Sequence, residues 1–260
     1  MFSALPIIVQ CIIFCLVCVT ISVALLILIR KKYNLATLKA NHEVAGFTFG
    51  VIGVLYALLL AFLVIVVWED YTDARKNCDS EANVFGNLYR DAKAFPEAYR
   101  NEVRTALINY GKLVIEEEWP IMSKGQYAYS REAWQALNKV WELYQSYNPH
   151  TEYEKIWYAE SITRLNALMD YRRIRLSDSQ NELHILMKIF LIAGGVITIS
   201  FMYFFGVENL KAQIMMTAAL SGIISFIVFL ILAIDNPFQG DISIRPDSLG
   251  HIIERAKLLK

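Results

Sequence analysis

Four stretches of the chain are apolar on every side rather than on one face: Leu5–Ile29, Val44–Trp68, Ile185–Phe205 and Ile214–Ile234. Each runs for about 20 residues or more, the length at which a helix crosses the hydrocarbon of a bilayer. Together they hold one charged side chain, Lys188. It lies about one turn inside its span and is expected to snorkel outward. Barrel strands alternate over about ten residues, and these runs do not alternate. Backbone groups in lipid must be satisfied internally, so the spans are predicted as helices. The first ends in Arg30-Lys31-Lys32 and lacks a small-x-small cleavage pattern, which reads as a stop-transfer anchor rather than a cleaved signal. Trp68 and Tyr203 fall near span ends, where amphipathic rings are favoured.

Between the second and third spans the period changes to that of one-sided helices. Tyr71, Ala74, Cys78, Phe85, Leu88 and Ala92 recur at helical spacing directly after Trp68, so the second span is expected to continue as one long helix. Pro96 suits the first turn of the next helix, with Val103, Leu107, Tyr110 and Val114 as its stripe, ended by Trp119-Pro120 and Gly125. Ser130 can cap a further helix carrying Trp134, Leu137, Trp141 and Tyr144, which Asn148-Pro149 stops. Thr151 and Glu154 have the spacing of a capping box. Ile156, Ile162, Leu165, Met169 and Ile174 follow, and no proline or glycine occurs between Pro149 and Gly194. That helix is expected to run straight into the third span. The predicted fold is all-α: a polytopic membrane protein with four transmembrane helices and a helical soluble bundle between the second and third. Its parts are residues 1–68 (two spans and a short loop), 69–184 (soluble block), 185–234 (two spans) and 235–260 (tail).

Charge and composition narrow the function. There are 25 Lys+Arg against 25 Asp+Glu, and a nucleic-acid binder would show a basic excess. The soluble block alone is mildly acidic, with 15 Lys+Arg and 19 Asp+Glu. His42, His150, His184 and His251 are scattered, and no HExxH, nucleophile elbow or phosphate-binding glycine loop is present. Cys11, Cys15 and Cys18 lie in the first span and only Cys78 outside the spans, a pattern of small packing residues rather than a disulfide or zinc framework. Glu116-Glu117-Glu118 reads as a solvated face. Arg172, Arg173 and Arg175 read as contacts to lipid headgroups or bundle carboxylates, or as surface salt bridges. No catalytic residue, metal site or cofactor is expected, and the chain is not expected to be an enzyme. The apolar runs also lack the buried carboxylates of proton relays.

The second span carries two rows. Gly46, Gly50, Gly53, Ala57 and Ala61 form a continuous stripe of small residues, the means by which membrane helices approach closely. It can serve another span of the same chain, or the same helix of neighbouring subunits around an axis. Beside it lie Phe47, Val51, Val54 and Leu58. On an axis these would form a narrow apolar constriction of the kind that gates by dewetting. Periodicity alone leaves a lipid-facing row open as well.

The run AGFTFGVIGVLYALLLAF, followed by Trp68-Glu69-Asp70-Tyr71-Thr72-Asp73-Ala74-Arg75, resembles the second membrane helix of bacterial bestrophins. Asp235-Asn236-Pro237-Phe238-Gln239-Gly240-Asp241 resembles the segment after their last membrane helix. Nearly the whole chain is similar to the bacterial bestrophin-like domain family. The carrying residues are Asn41-His42-Glu43, Glu118-Trp119-Pro120, Phe205-Gly206-Val207-Glu208 and Asp235-x-Pro237-Phe238-x-Gly240. The resemblance implies a homo-oligomer, a pentamer, in the plasma (inner) membrane, with second spans around a central path for an inorganic ion. Its partners are then the lipid bilayer and further copies of itself. Calcium-binding bestrophins have a dense acidic run after the proline-phenylalanine pair. Here only Asp241 and Asp247 stand there, so several-carboxylate coordination is not expected.

Sidedness is contested. Arg30, Lys31, Lys32 and Lys39 in the first loop favour a cytoplasmic loop, whereas the resemblance implies a cytoplasmic soluble block. The reading adopted is an oligomeric ion channel. Its rival is a non-conducting scaffold or sensor whose helical block binds a protein partner.

Overall fold

A computed structural model describes residues 5–40 and 42–258, so Asn41 of the Asn-His-Glu motif lies outside the described residues. All secondary structure among them is helical. In chain order the helices are α1 (Ile7–Lys32), α2 (Leu35–Ala40), α3 (His42–Asp91), α4 (Glu97–Leu113), α5 (Trp119–Met122), α6 (Arg131–Ser146), α7 (Glu152–Asp178), α8 (Ile185–Phe201), α9 (Leu210–Ile234) and α10 (Asp247–Leu258). Four of them, α1, α3, α8 with the 3-10 turn that carries it on to Phe204, and α9, are long and apolar enough to cross a membrane. The chain forms two compact units. One comprises Met1–Glu69 with Glu182–Asp235, the other Asp70–Asn181 with Asn236–Lys260. The expected long helix is α3, 50 residues without a break.

In the first unit α1 lies along α9, with Val19 against Gly222 and Phe14 and Phe229 ring centroids 5.8 Å apart. The inner side of α9 is a ladder of buried polar residues at four-residue steps, Gln213, Thr217, Ser221 and Ser225. Small polar side chains suit close helix approach in lipid. Tyr203, near a span end, is turned into the protein. It is buried with Leu26 and Met202, because a short 3-10 turn, Met202–Phe204, folds it inward. Lys188 finds partners, pairing with Glu182 at 2.7 Å and Asp235 at 2.8 Å. The three cysteines of α1 are half-buried and free.

The second unit has the larger core. Cys78, Phe85, Leu88, Leu107, Tyr110, Leu137, Tyr144 and Leu165 are buried together, and the post-span tail adds Phe238, Ile244, Leu249 and Ile253. The expected caps form. Ser130 Oγ accepts from the Ala133 amide at 3.0 Å, and Thr151 Oγ1 from the Glu154 amide at 3.1 Å. Two expectations on α7 fail. Ile156 and Ile174 are exposed, since the buried face instead runs through Ser161, Leu165, Leu168, Arg172 and Arg175.

The second failure is that α7 does not run into α8. It stops at Asp178. Ser179 Oγ turns back to donate to the Leu176 carbonyl at 2.7 Å, and the Asn236 amide donates to the Ser179 carbonyl at 3.4 Å. At the start of α8, His184 Nδ1 accepts from the Leu186 amide, and Asp235 Oδ1 accepts from the Leu183 amide at 2.7 Å. Short polar side chains thus compete with the helix ladder and end it without proline or glycine. Trp119-Pro120 does not break α4 either. The helix widens to a π turn, Val114–Glu118, which lets Pro120 sit in the first turn of α5; α5 ends at Met122, and Gly125, φ +71°, lies in the turn that follows.

Candidate functional site

Two opposite faces of α3 in the first unit have different surroundings. One face is buried. Ala45, Tyr56, Leu60, Leu63 and Val67 lie at helical spacing, with Phe49 and Ile52 half-buried between them. Tyr56 is the key of this face. A Cβ added at Gly194 would lie 2.5 Å from its ring, and one at Gly195 2.9 Å from its hydroxyl, which donates to the Leu191 carbonyl at 2.8 Å. Only paired glycines leave room for that ring on α8, so this diglycine notch seats α3 within the chain. Nothing in the small-residue stripe of α3 itself points to it.

Phe47, Val51, Val54 and Leu58 lie on the other side of α3, their row centred about half a turn away at 3.6 residues per turn. They are 79%, 48%, 70% and 53% exposed. Between the two rows run Gly46, Gly50, Gly53, Ala57 and Ala61. Cβ atoms added at Gly50 or Gly53 would find no atom within 4 Å, while one at Gly46 would lie 3.8 Å from the Phe205 ring. Ala57 and Ala61 are exposed. The middle of the small-residue stripe therefore has no partner helix among the described residues.

The post-span motif serves each unit from its own side. Asp235 anchors the start of α8 through Leu183 and Lys188. In the second unit, Asn236 Oδ1 accepts from the Phe238 amide at 3.1 Å and the Pro237 carbonyl from the Ile244 amide at 2.8 Å. Gly240, φ +76°, turns the chain. Phe238 is buried edge-on to Trp119, whose indole donates to the Ile244 carbonyl at 3.0 Å. The motif is a folding device for the tail. Asp241 is exposed, and among the described residues no group of three or more His, Cys, Asp or Glu gathers as metal ligands.

Sequence reasoning missed a buried charge network in the second unit. Glu118 is not on a solvated face: it is fully buried, as are Arg175 and, nearly so, Arg172 and Glu81. Arg175 donates to both oxygens of Glu81, at 2.6 and 3.1 Å, and to Glu118 at 2.7 Å, while Arg172 holds the other Glu118 oxygen through Nε at 3.1 Å. Two cations and two carboxylates balance. Burial works against the charged Arg175, but Glu81 and Glu118 outweigh it and keep its guanidinium well above the usual range. Burial, then Glu81, pushes the Tyr110 hydroxyl up. Tyr110 donates to Glu81 at 3.3 Å. Of the neighbouring charges, Glu116 is exposed, Glu117 accepts from the Ser130 hydroxyl, and Arg173 pairs with Asp170 on the surface. The one sequence signal was Glu81, a carboxylate at helical spacing from Cys78 and Phe85 in an otherwise apolar stripe.

A model of the bestrophin-like domain matches residues 14–249. Among solved structures, a mutant of a bacterial bestrophin homologue from Klebsiella pneumoniae aligns with TM-score 0.72 at 13% identity, covering 94% of this chain and 97% of that one. A second structure of the Klebsiella pneumoniae homologue gives TM-score 0.69 at 14% identity, covering 94% and 97%. At these identities the likeness is one of fold. No curated protein matches. With the family model spanning nearly the whole chain, and its all-helical, four-span architecture found in the structure, the protein is a multi-pass membrane protein that belongs to the bestrophin-like domain family.

Proposed function

We propose that the chain assembles into a homo-oligomeric ion channel in which α3 of each copy lines a central path. The observation that carries this reading is the two-sidedness of α3. One face is locked into its own unit by Tyr56, while the rest of the helix offers open glycines and, opposite Tyr56, a row of bulky apolar side chains left exposed among the described residues. In a ring, each copy meets its neighbours through two different flanks. The Gly50–Gly53 groove of one copy suits the exposed flank of the next, carrying Val44, Leu55 and Phe62. Phe47, Val51, Val54 and Leu58 then face the axis as a dewetting constriction. Fivefold symmetry and a plasma-membrane location with the soluble unit in the cytoplasm follow from the family resemblance. The reading includes no catalytic group and no cofactor.

The test is a subunit count on single particles in lipid nanodiscs, joined to conductance in planar bilayers. We expect a closed ring with α3 at its centre and discrete currents, altered by Val54→Ala or Phe47→Ala. Intact rings that stay silent, with the axis sealed, would replace the channel by the scaffold reading. A particle with α3 at its lipid-facing rim would end both the axis and the path.

A further inference from the structure

One loop holds α2 and the start of α3 through three of its residues, Phe205, Gly206 and Glu208. The Phe205 ring meets His42 edge-on at 5.2 Å between centroids and Phe49 at 5.7 Å, and it lies against Gly46. Gly206 is packed on the backbone of α2: a Cβ there would fall 2.7 Å from the Lys39 nitrogen and 3.0 Å from the Leu38 carbonyl carbon. Glu208 reaches the Lys39 ammonium at 2.5 Å. The loop is in turn held from behind. Gln213, fully buried on α9, donates to the Met202 carbonyl at 3.2 Å and the Phe205 carbonyl at 2.7 Å. Asn209 caps α9 through the Lys211 and Ala212 amides, which fixes the loop's far end.

These grips differ in kind. The Lys39–Glu208 pair is exposed on both sides, and exposed ion pairs contribute little. The ring contacts and the glycine-to-backbone contact are close-packed, and a close-packed contact does not yield gradually. A buried glutamine in a membrane helix is a costly residue to keep unless it has a task, and here its amide is spent on the loop. The residues gripped, His42, Gly46 and Phe49, lie away from the Phe47, Val51, Val54 and Leu58 row on the same helix. Phe47 is the immediate neighbour of Gly46, so turning the first two turns of α3 by a fraction of a residue re-aims Phe47.

We propose that the Phe205–Glu208 loop is a positioning latch: Phe205 and Gly206 seat α2 and the first turns of α3 and fix their rotation, with Lys39–Glu208 as the weak outer clasp. Its consequence for an aperture at Phe47 rests on the channel reading above, whereas the latch itself does not.

Hydrogen exchange of the full-length protein in nanodiscs separates the two. Phe205→Ala is expected to speed amide exchange over residues 42–50 by about tenfold, with protection of α6 and α7 unchanged. Glu208→Lys is expected to give a smaller change, about twofold, which Lys39→Glu restores in the double variant. Unchanged exchange over 42–50 in a folded Phe205→Ala protein would overturn the latch. So would a Glu208→Lys effect that the double variant leaves unrestored, since the clasp would then not be this pair. If wild-type rings conduct, Phe205→Ala is also expected to change the current. An exchange response in rings that never conduct would uphold the latch and remove the channel reading.

Discussion

The two units keep themselves folded by opposite means. The second buries large side chains around Phe85, Tyr110 and Tyr144, then places four formal charges in the middle of that core. The first leaves many of its large apolar side chains exposed, Leu28, Phe62, Phe190 and Val196 among them, and holds together where side chains are smallest. In water, removing apolar surface is the main driving force. In lipid that force is absent between helices, and close approach takes its place. Exposure therefore carries different information in each unit. An exposed Ile156 in the second is an unburied residue, whereas exposed Gly50 and Val54 in the first are surface awaiting lipid or another copy.

The largest effect should come from the charges. Arg175→Met leaves Glu81 and Glu118 facing each other in a sealed core, and breaking a buried pair from one side costs about 3–5 kcal/mol. Arg175→Lys should recover only part, because a lysine cannot hold Glu81 through two parallel bonds while reaching Glu118. Chemical unfolding in micelles followed by tryptophan fluorescence measures this directly, since Arg175 stacks 4.9 Å from the Trp119 ring. A loss under about 1 kcal/mol would mean that water or a rearranged partner relieves the network, and that the second unit depends on its apolar core alone.

The first unit should respond to filling rather than to lost polarity. Gly194→Ala puts a methyl group 2.5 Å from Tyr56 Cδ2, and overpacking of this kind costs about 1–3 kcal/mol. Tyr56→Phe removes only the bond to Leu191, worth about 0.6 kcal/mol in a membrane interior. The double variant Gly194→Ala/Tyr56→Leu should recover most of the overpacking cost. Equal losses in the two single variants would mean that the hydroxyl, not the notch, seats α3, and the contrast between the units would narrow.

What could be read in the sequence was whatever depends on near neighbours in the chain. The spans, the continuity of α3, and the Ser130 and Thr151 caps are local consequences of composition and spacing, and the structure has them. What could not be read depends on distant partners. The α7 stop rests in part on Asn236, 57 residues from Ser179. Glu118 looked solvated beside Glu116 and Glu117 because its partner lies 57 residues on, at Arg175. Residues 235–260 were set apart from the soluble block as a tail, yet Phe238 and Ile253 belong to the second core. For the candidate site, both rows of α3 were visible as periodicity. Which face the chain itself covers was not, because that is decided by Gly194 and Gly195 on another helix.

The smallest effect, at the first turn of α7, sharpens the comparison by showing what an exposed charge contributes in the unit that also buries four. Glu154 Oε2 accepts from the His150 amide at 2.8 Å and from the Tyr147 hydroxyl at 2.9 Å, and it sits at the positive end of a helix. The His150 amide first, then Tyr147, holds its carboxyl below the usual range. A folded-state value below the unfolded one means that unfolding takes up a proton. The stability this group adds is therefore present above its unfolded pKa, about 4.3, and is lost as pH falls through the folded value. Glu154→Gln cannot titrate, so the wild-type advantage over it should be constant above about pH 5 and shrink below that. Thr151→Ala removes the neutral half of the box and should cost about 1 kcal/mol at any pH, which distinguishes cap from charge. A wild-type advantage that stays flat or grows toward acid would mean that the charge of Glu154 adds no stability through these two bonds.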